Sequence, residues 1–169
     1  MSTYITSFAE VKRNGIWKKV GRIFPDRFFR EVKLTDHPFG NQNYAAFGFL
    51  ANVRNYSRCD TINSHYGIPE DASPEIKLSY QASEEYSYSE RHCYLADLIA
   101  FDYEQEFENK REIQEEDPSE FPYDQPANEP KGKIMTYREH LGDEILEHIE
   151  ILKELGDPED VRVIYWFYD

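Results

Sequence analysis

Val161-Arg162-Val163-Ile164-Tyr165-Trp166-Phe167 is a near-continuous run of β-branched and aromatic residues, broken only by Arg162. A strand wetted on one face alternates apolar and polar residues; one covered on both faces does not. The run therefore predicts a strand in the middle of a sheet. Asn14-Gly15 sits between two alternating segments, residues 3–12 and 16–23. Asn-Gly supplies the two positive-φ residues of a type I′ turn, so these segments are predicted to form a β-hairpin beside the 161–167 strand. Val32 and Leu34 add a short strand. The intervening Phe24-Pro25-Asp26-Arg27-Phe28-Phe29-Arg30 reads as a turn anchored by Phe28 and Phe29.

Helical periodicity fills the rest. Tyr44, Phe47, Leu50, Ala51 and Arg54 recur at steps of three and four behind Asn41 or Asn43, either of which can cap a helix start. Ala45, Ala46, Gly48 and Ala51 keep that helix thin. Ser73 is placed to cap a short helix over residues 74–79. Tyr94, Leu95, Leu98, Ile99 and Phe101 mark a further helix from Cys93 onward, with Ser89 as its candidate cap. Leu141, Ile145, Ile149 and Leu152 form one stripe of a helix over residues 137–155, ended by Gly156 and Pro158, after a brief strand at residues 134–137. The expected architecture is a single α+β domain over residues 1–169. Its sheet is antiparallel or mixed, includes the hairpin and the C-terminal strand, and packs about three main helices on one face.

Charge bounds the function classes. The formal net charge is −14. Phosphate contacts need clustered Lys and Arg, so direct nucleic-acid binding is not expected, nor is an anionic membrane surface. Residues 102–120 hold nine acidic and two basic residues, and Pro118, Pro122, Pro126 and Pro130 break any helix there. This predicts an acidic, Pro-containing excursion over about 102–130, read as a long loop. An acidic surface suits solubility, or capture of a basic protein by mimicking a phosphate row. Cys59 and Cys93 stand alone, without CxxC spacing, so neither a disulfide scaffold nor a zinc site is expected. The first nine residues lack the basic start and apolar run of a signal peptide, and no stretch approaches a membrane span, so a cytoplasmic location is expected.

Asn14-Gly15-Ile16-Trp17, Leu50-Ala51-Asn52-Val53-Arg54-Asn55 and Gly67-Ile68-Pro69-Glu70-Asp71-Ala72-Ser73 occur in this order. Ser87-Tyr88-Ser89, Leu95-Ala96-Asp97-Leu98-Ile99 and Pro158-Glu159-Asp160-Val161 through Tyr168 complete the set. Together they resemble small uncharacterised proteins carried by bacteriophages and prophages, over most of the chain except the acidic stretch. The resemblance implies a phage-encoded accessory protein that interferes with host functions in the host cytoplasm. Members more often carry His in the Ser-rich stretch and Trp after the aspartate, where Tyr86, Tyr88 and Tyr103 stand here.

Three constellations could carry chemistry. Arg54 and Asn55, with Arg27, Arg30 and Arg58, could form an anion-binding wall, and Tyr44, Tyr56 and Tyr88 could stack a base or ribose. Against this, Arg54 could simply cap a helix C-terminus and pair with Glu70 or Asp71. His65 and His92 flank the Ser/Tyr-rich segment and, with Glu70 or Asp71, could supply an acid–base pair. His140, Glu144 and His148 recur at steps of four, a spacing that can bind metal but that a solvated helix face explains better. No Walker or dinucleotide loop is present. The expected function is a phage-type binding protein that counteracts host defence by sequestering a nucleotide-like small ligand. The expected ligand-binding residues are Arg27, Arg30, Tyr44, Arg54, Asn55, Tyr56, His65, Tyr88, Ser89 and His92. A host protein as partner, and a small enzyme using His65 or His92, are the alternatives. No cofactor or metal is expected, and a homo-oligomer is left open.

Overall fold

A computed structural model describes residues 1–113 and 131–169. Its strands are β1 (Tyr4–Arg13), β2 (Ile16–Lys19), β3 (Phe24–Asp26), β4 (Lys33–Thr35), β5 (His65–Tyr66), β6 (Tyr88–Tyr94), β7 (Glu106–Ile113), β8 (Gly132–Thr136) and β9 (Val161–Tyr168). Its helices are α1 (Tyr44–Ala51), α2 (Pro74–Ser83), α3 (Leu95–Ala100), α4 (Tyr137–Leu141) and α5 (Asp143–Lys153). The main sheet runs β2-β1-β9-β6-β5 and is antiparallel throughout; β3–β4 and β7–β8 are separate two-stranded ribbons. The fold is α+β.

β9 is the central strand, buried from Val161 to Phe167. The hairpin lies beside it as predicted, with Asn14 at φ 52° and Gly15 at φ 77°, both positive as a type I′ turn requires. Pleating sends Val161, Val163, Tyr165 and Phe167 into the main core under α1, α3, α4 and α5. Ile164 and Trp166 point the other way and join Phe8, Ala72 and Ile76 in a second cluster beneath α2. Helices thus cover both faces, not one, which is why β9 shows no alternation.

Other expectations are corrected. The single 137–155 helix is broken at Gly142, whose φ 87° and ψ 168° only glycine adopts freely, so α4 and α5 are distinct. The stripe survives the break: Leu141, Ile145, Ile149 and Leu152 are all buried. Cys93 and Tyr94 belong to β6, and α3 starts only at Leu95, where Asp97 Oδ2 accepts the Tyr94 N–H at 3.0 Å. Ser89 caps nothing; it sits inside β6 at φ 52°, within the register shift between Tyr88 and Arg91. Phe28 and Phe29 anchor no core, being 77% and 55% exposed. Asn43, rather than Asn41, caps α1 by accepting from the Ala46 N–H. The described part of the acidic excursion forms β7, with Phe107 packed on Tyr137 (centroids 4.5 Å apart); residues 114–130, including all four of its prolines, lie outside the described residues.

The two borders of the main sheet differ. β2 pairs with β1 only from Glu10 to Arg13. Alongside the preceding residues of β1 runs the 36–40 loop: His37 Nδ1 lies 2.8 Å from Ser7 O, and the Ser7 hydroxyl donates to Pro38 O. The opposite border, β5, is two residues long.

Candidate functional site

Four of the expected residues converge where the ends of β1, β6 and β9 meet. Arg54 follows α1 in the left-handed region (φ 49°) after Asn52, also left-handed, has closed the helix with its N–H on Gly48 O. From there Arg54 donates to Thr3 Oγ1 (2.8 Å), the Tyr56 hydroxyl (2.8 Å) and Met1 O (2.9 Å). Thr3 donates to Asp169 Oδ1 at 2.7 Å, and the Tyr88 hydroxyl donates to the same oxygen at 2.8 Å. The Tyr44 hydroxyl accepts from the Thr3 N–H. Hydrogen bonds from Thr3 and Tyr88 hold the Asp169 carboxyl below its ordinary range. Arg54 is therefore a tie between chain segments. It neither caps α1 nor meets Glu70 or Asp71, and three of its five N–H groups are already engaged within the protein.

Asn55 organises its own loop. Its Oδ1 accepts from Cys59 N–H (3.0 Å), and its Nδ2 donates to Cys59 O (2.8 Å) and Asn52 Oδ1 (2.9 Å). A Cβ on Gly48 would fall 2.7 Å from that amide oxygen, so the thin helix is thin to admit this loop. Arg27 and Arg30 join neither residue: Arg27 forms a bidentate pair with Glu147 on α5 (2.7 and 2.8 Å), and Arg30 is exposed between β3 and β4.

Beside Tyr44 lies an open cavity of about 590 Å³. Tyr44, Gln42 and Asn43 line it from the α1 side, and Asn109, Arg111, Glu112 and His140 from β7 and α4. The Tyr44 and Tyr56 rings are 6.3 Å apart, with the Arg54 guanidinium 5.9 Å from Tyr44 and that of Arg111 5.8 Å from Tyr56. Glu112 is drawn toward Lys133 at 3.6 Å, while Arg111 has no ion-pair partner among the described residues. Burial lowers the His140 imidazole below its ordinary value, against the pull of the Glu112 carboxylate and with a smaller push from Arg111. Of the residues expected from the sequence, Tyr44 lines this cavity. Arg111, Asn109, His140 and Gln42 are not picked out as ligand-binding residues in the sequence, although Lys110 and Arg111 are the two basic residues of the acidic run.

His140 Nε2 lies 3.2 Å from the Ser57 hydroxyl, a distance seen in nucleophile–base pairs. The direction is wrong. Asn109 accepts from Arg111 N–H through Oδ1, which turns its Nδ2 toward His140 Nδ1 (3.5 Å) and leaves the imidazole proton on Nε2. Ser57 then accepts from His140 and donates to Asn55 Oδ1, so nothing withdraws its proton.

The other histidines separate as well. His148, read as part of a solvated stripe, is buried: Phe39 N–H donates to its Nδ1 (3.0 Å), and its Nε2–H donates to Pro25 O (2.8 Å). Glu144 instead accepts from Asn41. His65 and His92 pair across β5 and β6, but neither bonds to Glu70 or Asp71; Asp71 lies 2.9 Å from the Arg162 guanidinium. Both cysteines are buried, and burial pushes the Cys93 thiol up to about 12. Among the described residues no helix is long and apolar enough to cross a membrane, and no group of three or more His, Cys, Asp or Glu could hold a metal ion.

Comparison with known proteins finds no matching family model, no matching curated protein and no matching solved structure.

Proposed function

We propose that the chain is a binding protein of the phage accessory type that counteracts host defence in the host cytoplasm by sequestering an anionic, nucleotide-like small ligand. The observation that carries this reading is the cavity beside Tyr44. Its volume lies within the roughly 300–1,000 Å³ of small-molecule sites. It combines features such a ligand needs: the Arg111 guanidinium for phosphate, the Gln42 amide for a base edge, and the Tyr44 ring for stacking, with the Tyr56 ring 6.3 Å from Tyr44. Arg111 takes the phosphate-binding role that the sequence pattern assigns to Arg54, since the Arg54 donors serve Met1, Thr3 and Tyr56.

A thermal-shift panel of linear and cyclic nucleotides tests the reading. A ligand at a hundred times its dissociation constant adds about 2.7 kcal/mol of stability. A shift is expected for at least one phosphorylated nucleotide, lost in Arg111→Ala and reduced in Tyr44→Ala. No shift with any nucleotide, together with salt-sensitive capture of a basic protein, would replace this reading with the protein-binding one. Turnover of a nucleotide would replace it with an enzyme.

A further inference from the structure

Five histidines occur in the chain, and three of them have both ring nitrogens engaged inside the protein. His37 meets Ser7 O and Asp36, His140 meets Ser57 and Asn109, and His148 meets Phe39 and Pro25. The other two face each other. His65 and His92 occupy one register position across β5 and β6, their ring centroids 5.2 Å apart and their planes 25° from parallel. His92 Nδ1 is 2.9 Å from Gly67 O, so that nitrogen carries the proton and donates, which leaves the Nε2 lone pair open. His65 is exposed, and among the described residues neither of its ring nitrogens has a hydrogen-bond partner.

We propose that His65 and His92 form a two-imidazole site for a borderline transition-metal dication such as Zn2+, with water completing the coordination. Directly opposed residues of an antiparallel pair hold their Cβ atoms about 4.5–5.5 Å apart, within reach of one ion for two imidazoles. Metal-binding histidines characteristically donate their second ring N–H to a carbonyl or carboxylate, which fixes the tautomer and aims the lone pair; the Gly67 contact of His92 has this form. Tyr94 packs edge-on against both rings, at 5.7 and 6.0 Å, and limits their swing. Arg162, the nearby cation, is matched by Glu10 and Asp71, so it does not leave the face positive. Imidazole selects Zn2+, Cu2+ or Ni2+ over Ca2+ and Mg2+, which prefer oxygen.

The test is a titration of the full chain with Zn2+ alone, read by calorimetry and by the imidazole NMR signals, with a background of Ca2+ to occupy surface carboxylates. One saturable site is expected, perturbing the His65 and His92 signals and leaving those of His37, His140 and His148 in place. His65→Ala, which removes an exposed ring, and His92→Gln, which keeps an N–H for Gly67, are each expected to weaken binding roughly tenfold or more. Three outcomes would overturn the site: no saturable Zn2+ binding, unchanged affinity in both variants, or displacement of Zn2+ by Ca2+.

Discussion

The Glu10 carboxylate and the Arg162 guanidinium, opposite each other on β1 and β9, form an ion pair at 2.8 Å with both residues buried. The other Glu10 oxygen accepts the Ser73 N–H at 2.7 Å, so a side chain of the sheet satisfies the start of α2, where Ser73's own hydroxyl makes no bond. Arg162 also stacks 3.9 Å over the Trp17 ring. Removing one partner of a buried pair strands the other charge, and Glu10→Ala is expected to cost about 3–5 kcal/mol in urea unfolding. Replacing both residues by Met is expected to restore much of that loss. A double-variant cost equal to the sum of the two single-variant costs would show that the two charges do not depend on each other.

Gly142→Ala isolates a backbone effect. Nothing lies within 4 Å of the added Cβ, so the cost comes only from forcing alanine into a conformation that glycine alone adopts freely. A loss on the order of 1–3 kcal/mol is expected by chemical denaturation, with α4 and α5 otherwise intact. A neutral result would mean that a continuous helix through residue 142 is equally stable.

Burial lowers the imidazoles of His140 and His92 below their ordinary value. Below about pH 6.5 the unfolded chain therefore takes up protons that the folded chain does not. Stability is expected to be full above that pH and to fall as the pH drops below it. Urea midpoints across this range are expected to decline less steeply in His140→Gln. An unchanged slope would remove His140 from the acid response.

Arg54→Ala is expected to free the first three residues without unfolding the core. The amides of Ile5 and Thr6 should exchange faster with deuterium, while those of β9 keep their protection, since Arg54 holds Thr3 and Met1 O but belongs to no core cluster. Loss of protection throughout the sheet would give Arg54 a larger role than a tie.

How far each feature is legible in the sequence depends on the range of the interaction behind it. The run from Val161 to Phe167 and the Asn14-Gly15 turn carry their structure locally, and both can be read directly. The Gly142 break cannot, because the stripe of Leu141 and Ile145 stays in phase across it, and only the backbone angles reveal the split. Glu10 and Arg162 are 152 residues apart, and nothing in either neighbourhood announces the other. The sequence groups Tyr44, Arg54, Tyr56 and Tyr88, and the four meet where the ends of β1, β6 and β9 come together, although only Tyr44 lines the cavity. It misleads about the purpose of Arg54, because the groups that occupy its donors include Met1 O and Thr3, at the far end of the chain. Arg111 is hidden in an acidic run whose net charge speaks for a solvated loop, whereas it stands on β7, in the register shift between Asn109 and Ile113, beside Tyr56.

The way β1 is bordered has a consequence for behaviour at high concentration. A row of unpaired N–H and C=O groups would template the strand of a second molecule. Here one border is occupied by His37 on Ser7 O and by the Ser7 hydroxyl on Pro38 O, and the other is only two residues long. Among the described residues the border strands β2 and β5 are four and two residues long, so the main sheet offers backbone-to-backbone polymerisation only short ladders. On the β1 side the cover is the 36–40 loop, tied by His37 on Ser7 O and by the Ser7 hydroxyl on Pro38 O, so loosening that loop would present Ser7 O as an open acceptor for an incoming strand.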